Sequence, residues 1–484
     1  MAEPERVVTF GAHADEAGDV TARLAADVDI VVVGMGVGGE EVANTLAAAG
    51  LAVVGVEQNL VGGECPFWGC VPSKMMIRAA NALAEARRVD HLAGRARVEP
   101  DWTPVAKRVS EEATAGWTDT AGVGRFTGKG GRFVRGYGRL AGPGLVRVGD
   151  QTYRARLGVV LGSGTVPVIP PIPGLAGTPY WTNREAMELT ELPESLAVLG
   201  GGAIGVELAQ MFARFGVRVT VVEPGERVLG MEEPESSERV ATALRADGVT
   251  IRTGAGAAAV GHDGTSFTVE LSAGEPVRAE RLLVATGRRA VLDTLGLETI
   301  GVDPHQRFVP TDDRLRVTDG VWAVGDLTGR GAFTHMAMYQ AGVVIDDILR
   351  RRAGAADDDG GRRADYRAVP RVTFTDPEVG AVGLTERQAR ERGLNVRVGF
   401  TSLGDSTRGW IHEVGDEGFV KLVADADRGV LVGATSAGPV GGEVLSALVV
   451  AVHAEVPVTT LGTMIYAYPT FHRAIETAVR DLTR

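Results

Sequence analysis

The stretch Asp29-Ile-Val-Val-Val-Gly34-Met-Gly36-Val-Gly-Gly39 decides the fold of this chain. Its β-branched residues predict a short buried strand, and the glycines that follow match the pattern G-x-G-x-x-G. A helical pattern continues to Gly50, and a second predicted strand, residues 52–57, ends in an acid 23 positions after Gly34. The sequence therefore predicts a strand, a glycine turn, a helix and a second strand.

The same arrangement recurs 166 residues later. Residues 195–200 predict a strand, residues 206–216 a helix, and residues 218–223 a second strand that ends in Glu223, again 23 positions after the first glycine of the turn. A single G-x-G-x-x-G is weak evidence, because structural turns also contain it. Two copies with the same strand, helix and acid spacing favour two dinucleotide-binding units.

Each residue of these units has a physical role. The first glycine allows a tight turn, the second lets the backbone approach a pyrophosphate, and the third lets the helix pack on the strand. The helix N-terminus then faces the phosphates, and the acid accepts from ribose hydroxyls. We expect the cofactor-binding residues to be Gly34, Gly36, Gly39 and Glu57 in the first unit and Gly200, Gly202, Gly205 and Glu223 in the second. Glu223 would repel a 2′-phosphate, so we expect NAD(H) rather than NADP(H) there, although Arg218 and Arg227 flank it.

The composition excludes several classes of protein. The 484 residues include 62 acidic and 50 basic side chains, for a net charge of −12, which argues against a nucleic-acid partner. Glycine, at 66 residues, is about twice its usual share of ~7%, and the 2 cysteines cannot make a disulfide scaffold. No run of about 18 apolar residues predicts a membrane span. Residues 1–27 are acidic and read as an N-terminal extension, so we expect a cytoplasmic protein.

The two cysteines lie five positions apart in Gly62-Gly63-Glu64-Cys65-Pro66-Phe67-Trp68-Gly69-Cys70-Val71-Pro72-Ser73-Lys74. No Cys or His lies nearby at ligand spacing, so we expect no metal. A helix is predicted from Pro72 onward, which places Cys70 at its N-terminus. There the helix dipole and Lys74 would lower the thiol pKa, which suits redox chemistry.

This cysteine segment resembles the redox-active disulfide motif of the flavin-dependent pyridine nucleotide-disulfide oxidoreductases. Residues 160–164, 284–288 and 318–326 also resemble segments of that family. The resemblance implies an α/β fold with two Rossmann-like domains, for FAD and for NAD, and a C-terminal α+β dimerisation domain. The implied divisions are residues 28–160 (FAD domain, first part), 161–280 (NAD domain), 281–355 (FAD domain, second part) and 365–484 (dimerisation domain), with a polar linker at residues 357–361.

The resemblance also implies site residues. Cys70 would be the thiol next to the flavin and Cys65 the interchange thiol that meets substrate. Lys74 would pair with Glu207 near the flavin ring, although an ordinary salt bridge between helices is the alternative. The further cofactor residues that the family suggests are Gly63, Gly164, Gly287, Gly325, Asp326 and His335, the last of which could equally serve packing. His453, on an apolar run, is expected in the core.

The C-terminal segment departs from the family pattern. The family carries His-Pro-Thr-x-x-Glu, in which the His is a general acid/base given by the other subunit of a homodimer. Here the segment reads Tyr468-Pro-Thr-Phe-His472-Arg-Ala-Ile-Glu476, so Tyr468 takes the base position and neither register restores the His–Glu pair. His472 is the nearest imidazole and could share a helical face with Glu476. General acid/base help is worth roughly 10²–10⁴-fold, so efficient lipoamide exchange becomes doubtful.

Three functions remain open from the sequence. The first is an NADH-dependent FAD oxidoreductase whose Cys65–Cys70 disulfide reduces a non-standard disulfide, thiol adduct or other sulfur substrate. The second is a diaphorase-like reductase of quinones, metal ions or small electrophiles, with dihydrolipoamide dehydrogenase as a further alternative. The third is a binding subunit without catalysis, which the intact motifs disfavour. Mercuric reductase shares a Tyr near this position, but its C-terminal cysteine pair has no counterpart in Asp481-Leu-Thr-Arg484.

Overall fold

The computed structural model describes residues 23–356 and 360–483. Most of the predicted N-terminal extension, residues 1–22, and Asp357–Asp359 of the predicted linker lie outside the described residues. The first strand already begins at Arg23, earlier than the sequence pattern indicated. The reason is pairing, because Arg23 and Leu24 align with Gln151 and Thr152 of a neighbouring parallel strand.

The first part of the chain forms a sheet covered by helices. Its strands are β1 Arg23–Val33, β2 Val53–Glu57, β3 Arg132–Arg135, β4 Gly138–Gly142, β5 Leu145–Val148 and β6 Gln151–Leu161. Its helices are α1 Val37–Ala48, α2 Glu64–Phe67, α3 Cys70–Leu92, α4 Thr103–Arg108 and α5 Thr120–Thr127. Strands β3, β2, β1 and β6 are parallel neighbours in that order. Ile30, Val31 and Val32 of β1 are fully buried, as expected for a parallel strand covered on both faces.

The second glycine unit forms its own parallel sheet after the short elements β7 Val166–Pro167 and α6 Asn183–Met187. Its elements are β8 Ser195–Leu199, α7 Ala203–Arg214, β9 Arg218–Glu223, α8 Pro234–Ala246, β10 Thr250–Thr253, β11 Ala257–His262, β12 Phe267–Leu271, β13 Val277–Ala279 and β14 Arg281–Val284. The sheet order is β10-β9-β8-β14, and β11–β13 make a separate antiparallel sheet. Because β14 pairs with β8, residues 281–284 belong to the sheet of the second glycine unit, one strand beyond the boundary predicted after residue 280.

The chain then returns to the first sheet. The elements of this return are β15 Arg288–Arg289, β16 Arg316–Thr318, β17 Val321–Ala323 and α9 Thr334–Arg352. Strand β15 pairs with β7, so the two crossings between the domains run side by side. Strand β17 pairs in parallel with β6, and β16 pairs with β17 at the sheet edge. The domain of the second glycine unit is therefore inserted within the domain of the first.

The C-terminal part is a separate α+β unit. Its elements are β18 Pro370–Thr373, β19 Glu378–Gly383, α10 Glu386–Glu391, β20 Val396–Ser402, α11 Thr407–His412, β21 Phe419–Asp425, β22 Val430–Gly438, α12 Gly441–His453, α13 Val458–Thr463 and α14 Ala474–Leu482. The antiparallel order is β18-β19-β22-β21-β20, and apolar residues of α12 and α14 join its core. His453 is the last residue of α12 and is exposed, so its predicted burial is wrong: the apolar run of α12 ends just before it.

The predicted fold class is confirmed: two dinucleotide-type α/β domains precede a C-terminal α+β domain. Among the described residues, no helix has both the length and the apolar character that crossing a membrane requires.

Candidate active site

The two glycine turns have nearly identical backbone geometry. Gly34 and Gly200 have φ angles of +91° and +108°, which L side chains rarely adopt. A Cβ on Gly34 would lie 2.5 Å from the carbonyl oxygen of Gly162, and one on Gly200 would lie 2.4 Å from that of Ala285. In each turn the first glycine is therefore required by both backbone angle and space.

The remaining glycines of the turns divide in the same way. A Cβ on Gly39 would lie 1.9 Å from the Gly34 carbonyl oxygen, and one on Gly205 would lie 2.0 Å from that of Gly200. In contrast, a Cβ on Gly36 would meet protein only at 4.0 Å, and one on Gly202 would meet nothing within 4 Å. The protein leaves open space beside the middle glycine of each turn, which fits a bound pyrophosphate.

The acid that ends the second strand of each unit is held by the same two backbone donors. Glu57 accepts from the N–H groups of Met35 and Asn59, each at 2.8 Å. Glu223 accepts from the N–H groups of Gly201 and Gly225, each at 2.7 Å. Burial raises the pKa of Glu57 against the effect of these hydrogen bonds. Both carboxylates are thus fixed beside a glycine turn, where a ribose hydroxyl could donate to them.

Residues 62–74, called the cysteine loop below, lie against the first glycine turn. Gly36 and Gly62 form an isolated parallel bridge, and a Cβ on Gly63 would lie 2.9 Å from the Cα of Gly36. Gly63 has a φ of +68°, so a glycine is needed there for both reasons. The turn that is predicted to hold one cofactor is therefore in direct contact with the predicted redox loop.

The other predicted cofactor residues follow the ends of strands β6, β14 and β17. The Asp326 carboxylate accepts from the Thr165 hydroxyl at 2.7 Å, and the Gly325 N–H donates to Gln340 at 2.7 Å. Gly164 and Gly287 occupy the two crossings between the domains, with φ angles of +69° and +113°.

His335 has contacts that fit a packing role. It stacks on Phe333 with ring centroids 5.2 Å apart, and its Nε2 lies 2.9 Å from the Pro370 carbonyl oxygen. Its predicted role beside a cofactor stays a prediction.

Helix α3 begins at Cys70, two residues before the predicted start at Pro72. Cys70 therefore lies at the positive end of the helix dipole, and its Sγ is 3.2 Å from the hydroxyl of Thr334. Cys65 lies in the short helix α2, and both cysteines are free thiols. Thr334 was not identified from the sequence, because it lies 264 residues away and no local pattern marks it.

The pKa values of the two thiols are shifted in opposite directions. A hydrogen bond from Cys65 lowers the pKa of Cys70 to about 6, and the Thr334 hydroxyl and the Lys74 charge act in the same direction. The same hydrogen bond raises the pKa of Cys65, and burial adds to that effect. At neutral pH the reduced pair is therefore a Cys70 thiolate beside a Cys65 thiol.

The predicted pair between Lys74 and Glu207 is present. Lys74 Nζ lies 2.5 Å from Glu207 Oε2, and Glu207 Oε1 accepts from the Phe374 N–H at 2.8 Å. Lys74 Nζ also lies 4.7 Å from the centroid of the Phe374 ring. The pair links α3 with α7 and with the start of the C-terminal domain. It is more than a contact between neighbouring helices, although its role near a flavin stays a prediction.

The C-terminal residues do not form a substitute dyad within the chain. Glu476 is bound by Arg473, at 3.1 Å, and by Arg480, so it does not pair with His472. His472 Nε2 instead lies 3.5 Å from the Thr470 hydroxyl. The reason is local: residues 471–473 form a 3-10 turn, and α14 begins only at Ala474.

Tyr468 lies on the surface of the single chain. Its side chain is 64% exposed, its hydroxyl donates to Thr407 at 3.3 Å, and the Arg473 guanidinium lies 5.4 Å from its ring centroid. Its predicted action on the thiols of a partner subunit stays a prediction. Among the described residues, no cluster of His, Cys, Asp and Glu could hold a metal ion.

Two dinucleotide-type turns and a thiol pair at a helix start define a class: nucleotide-dependent thiol oxidoreductases. Residues 28–341 match the family described as pyridine nucleotide-disulphide oxidoreductase, and residues 369–479 match the dimerisation domain of that family. The chain belongs to this family, whose members are flavin-dependent enzymes that use FAD and a pyridine nucleotide. The predicted family and enzyme class are thus confirmed, and the non-enzymatic alternative is not supported.

Several relatives cover nearly the whole chain. It is 34% identical to a mercuric reductase of Streptomyces lividans, over 94% of this chain and 96% of that protein. It is 32% identical to a dihydrolipoyl dehydrogenase of Thermus scotoductus, over 94% and 97% of the two chains. A solved structure, the Cu(II) complex of the HOCl-induced flavoprotein disulfide reductase RclA from Escherichia coli, superposes with a TM-score of 0.80 at 27% identity, covering 94% of this chain and 99% of that one. The dimerisation domain supports a homodimer.

Proposed function

We propose that the chain is an NADH-dependent FAD oxidoreductase of the cytoplasm that uses a Cys65–Cys70 disulfide to reduce a non-standard disulfide, thiol adduct or other sulfur substrate. The observation that carries this proposal is the thiol pair: Cys70 starts a helix beside Thr334 and Lys74, while Cys65 keeps the proton. FAD held by Gly34, Gly36 and Glu57 would supply the two-electron chemistry that links the nicotinamide to this disulfide.

The remaining steps use sulfur atoms of this chain. The Cys65 thiolate attacks one sulfur of a substrate disulfide, and the other sulfur leaves as a thiolate that takes up a proton. The Cys70 thiolate then attacks the Cys65 sulfur, which expels the second substrate thiol and restores the Cys65–Cys70 disulfide. Because the pKa of Cys65 is raised, its deprotonation is the difficult step, and Tyr468 in place of a histidine is a weak base.

The preference for NADH rests on what surrounds Glu223. Arg227 donates to backbone carbonyls of the loop that follows, including that of Glu232 at 2.9 Å, so its guanidinium is already hydrogen-bonded within the protein. Arg218 is exposed and lies 3.8 Å from Glu194. Glu223 is therefore the charged group held at the turn itself, where it would repel a 2′-phosphate.

We propose that the homodimer completes the site. In this proposal Tyr468 of one subunit faces the cysteine loop of the other. Its hydroxyl donates a proton or a hydrogen bond to the substrate sulfur instead of removing a proton from Cys65. The exposed position of Tyr468 in the single chain supports this arrangement. Full activity in a monomer, identified by size-exclusion chromatography, would contradict it.

A diaphorase-like reductase of quinones or metal ions is the second candidate, and dihydrolipoamide dehydrogenase activity remains a less favoured third. The raised pKa of Cys65 favours the second candidate, because electron transfer to such acceptors does not need a Cys65 thiolate. Relatives named mercuric reductase and a structure of RclA with Cu(II) are consistent with it. The chain's dihydrolipoyl dehydrogenase relatives keep the third open.

One experiment separates these functions. Wild type and Cys65→Ser holoenzymes are compared with NADH and, in turn, lipoamide, cystine, a quinone and mercuric ion. Loss of turnover in Cys65→Ser supports the disulfide mechanism, whereas unchanged turnover with quinone or metal ion, together with no turnover of disulfides in the wild type, supports the second candidate.

A further inference from the structure

Polar contacts hold the residues on both sides of Cys65. Arg184 donates to Glu64 through Nε at 2.9 Å and Nη2 at 2.5 Å, and Asn183 Nδ2 donates to Glu64 Oε2 at 3.0 Å. The same Asn183 amide donates to the carbonyl oxygen of Trp68 at 2.8 Å. Glu64 is the first residue of α2 and Trp68 its C-cap, so these contacts bracket the helix that carries Cys65.

The Trp68 side chain adds to this set of contacts. Its Nε1 donates to Glu188 at 2.8 Å, and the Arg184 guanidinium lies 4.5 Å from its ring centroid. The side chains of Arg184 and Glu64 are only 22% and 27% exposed, so water screens their ion pair less than it screens an ordinary surface pair. Glu64, Trp68, Asn183 and Arg184 are called the clasp below.

The clasp is fixed at its other end to the NAD sheet. Trp181 donates its N–H to the carbonyl of Leu282 at 2.7 Å, and Val284 donates to the carbonyl of Trp181 at 2.8 Å, so this segment runs along β14. A capping box between Thr182 and Glu185 then starts α6, whose first two residues are Asn183 and Arg184. The side chains that hold the cysteine loop are therefore set by the edge of the second nucleotide unit.

A further cation reaches the same carboxylate. Arg288, in the return crossing, has Nη1 3.6 Å from Glu64 Oε2 and donates to the hydroxyl of Thr165 at 2.9 Å. That hydroxyl in turn donates to Asp326. Glu64 thus lies where both crossings between the domains meet the cysteine loop.

From these contacts we infer that Glu64, Asn183 and Arg184 are positioning residues for the thiol exchange. They fix the position of Cys65 relative to Cys70 by tying the cysteine loop to the NAD sheet. The inference rests on the proposed disulfide function. Arg184 holds one oxygen of Glu64 with two N–H donors while Asn183 holds the other, and the Arg184 charge offsets a carboxylate on the residue next to Cys65. The charged groups around the cysteine loop include Glu40, Glu64, Lys74, Arg184, Glu188, Glu207 and Arg288.

The test uses two substitutions in the FAD-loaded dimer, one that removes a positive charge near the thiols and one that removes a negative charge. Arg184→Met leaves the Glu64 carboxylate less compensated, which should move half-maximal alkylation of the reduced cysteines by iodoacetamide to higher pH. Glu64→Gln removes that carboxylate and should move it to lower pH. Both substitutions release the loop, so both should lower kcat for reduction of the chromogenic disulfide dithiobis-nitrobenzoate by about 10- to 100-fold, with KM for NADH unchanged.

Two further variants separate positioning from simple folding. Arg184→Lys keeps the charge without the fork, so it should restore the alkylation profile of the wild type while kcat stays low. Glu298→Gln, which removes the exposed partner of Arg139, is the control and should leave both readouts unchanged.

The outcomes can be told apart from failure of the proposed function. Alkylation profiles of Arg184→Met and Glu64→Gln that coincide with the wild type, or that shift in the same direction, would overturn the clasp. Should Arg184→Met not fold, Asn183→Ala with its expected loss of kcat provides the test. If Cys65→Ser reduces disulfides as fast as the wild type, the proposed function fails, while the alkylation profiles still report on the clasp.

Discussion

The two glycine units of this chain are built alike and differ in what their neighbours contribute. In both, the outer glycines are packed against carbonyl oxygens, the middle glycine faces open space, and two backbone N–H groups hold the terminal acid. The glycine turn of the first unit contacts the cysteine loop directly, through the bridge between Gly36 and Gly62. The second unit instead presents Glu207 of α7 to Lys74. The phosphate-binding geometry is therefore local, and neighbouring segments distinguish the chemical roles of the units.

The two units also differ in how closely the protein surrounds their turns. Met35 is fully buried, and its sulfur is near Gly55 of β2. The equivalent residue of the second unit is Gly201, which packs against Glu223 and Val228. Glu57 is also more buried than Glu223. A more enclosed first unit suits a cofactor that stays bound, and a more open second unit suits one that exchanges at each turnover.

The largest expected effects come from the third glycine of each turn. A Cβ at Gly39 or Gly205 would overlap a carbonyl oxygen, which costs about 1–3 kcal/mol of strain, or about 5- to 150-fold if all of it is lost from affinity. Gly39→Ala should lose bound FAD, whereas Gly205→Ala should keep FAD and raise KM for NADH. Flavin content by absorbance and steady-state kinetics measure the two effects. Loss of FAD from Gly205→Ala, with KM for NADH unchanged, would reverse the assignment of the units.

Substitution of the middle glycines should have a smaller and different effect. Alanine fits the protein at Gly36 and Gly202, so the free energy of unfolding of the apo form should change by no more than about 0.5 kcal/mol, as for a neutral surface substitution. The added methyl occupies the space predicted for the pyrophosphate, so the affinity of Gly36→Ala for FAD and of Gly202→Ala for NADH should still fall by about tenfold. Calorimetry of the apo proteins, FAD titration of Gly36→Ala and NADH titration of Gly202→Ala test this. A destabilised apo protein would show that these glycines are structural.

The acid of the second unit should decide the choice of nicotinamide cofactor. In Glu223→Ala the carboxylate that would repel a 2′-phosphate is gone, so the ratio of kcat/KM for NADH to that for NADPH should fall by about tenfold. Glu57→Ala in the first unit is the matched comparison and should leave this ratio unchanged. An unaltered ratio in Glu223→Ala would mean that other residues select the cofactor.

The link between the units should have the smallest effect. Lys74 lowers the pKa of Cys70, so in the wild type the reactive thiolate forms as the pH rises through about 6. Lys74→Met removes a charge that favours the thiolate, and the midpoint of Cys70 alkylation in the reduced enzyme should move to higher pH. Arg139→Met, in an exposed pair, should leave the midpoint in place. A midpoint unmoved by Lys74→Met would mean that the Lys74 charge does not set the Cys70 thiolate.

Local features of the site could be predicted from the sequence. Strand β9 begins and ends where the pattern placed it, at Arg218 and Glu223, because strand periodicity and the terminal acid are both local. The Lys74–Glu207 pair came from the resemblance to the family. The contact between Cys70 and Thr334, and the clasp that joins Glu64 to Arg184 across 120 residues, depend on how the domains meet. No pattern along the chain carries that information, and the boundary before β14 was misplaced for the same reason.

The most direct measurement of the central claim is an anaerobic reductive titration of the holoenzyme with dithionite. A redox-active Cys65–Cys70 disulfide accepts two electrons in addition to those of the flavin. The wild type should therefore consume about twice the reductant that Cys65→Ser consumes, with a charge-transfer absorbance between the flavin and the Cys70 thiolate at the halfway point. Equal consumption by the two proteins, with no such absorbance in the wild type, would contradict the disulfide mechanism.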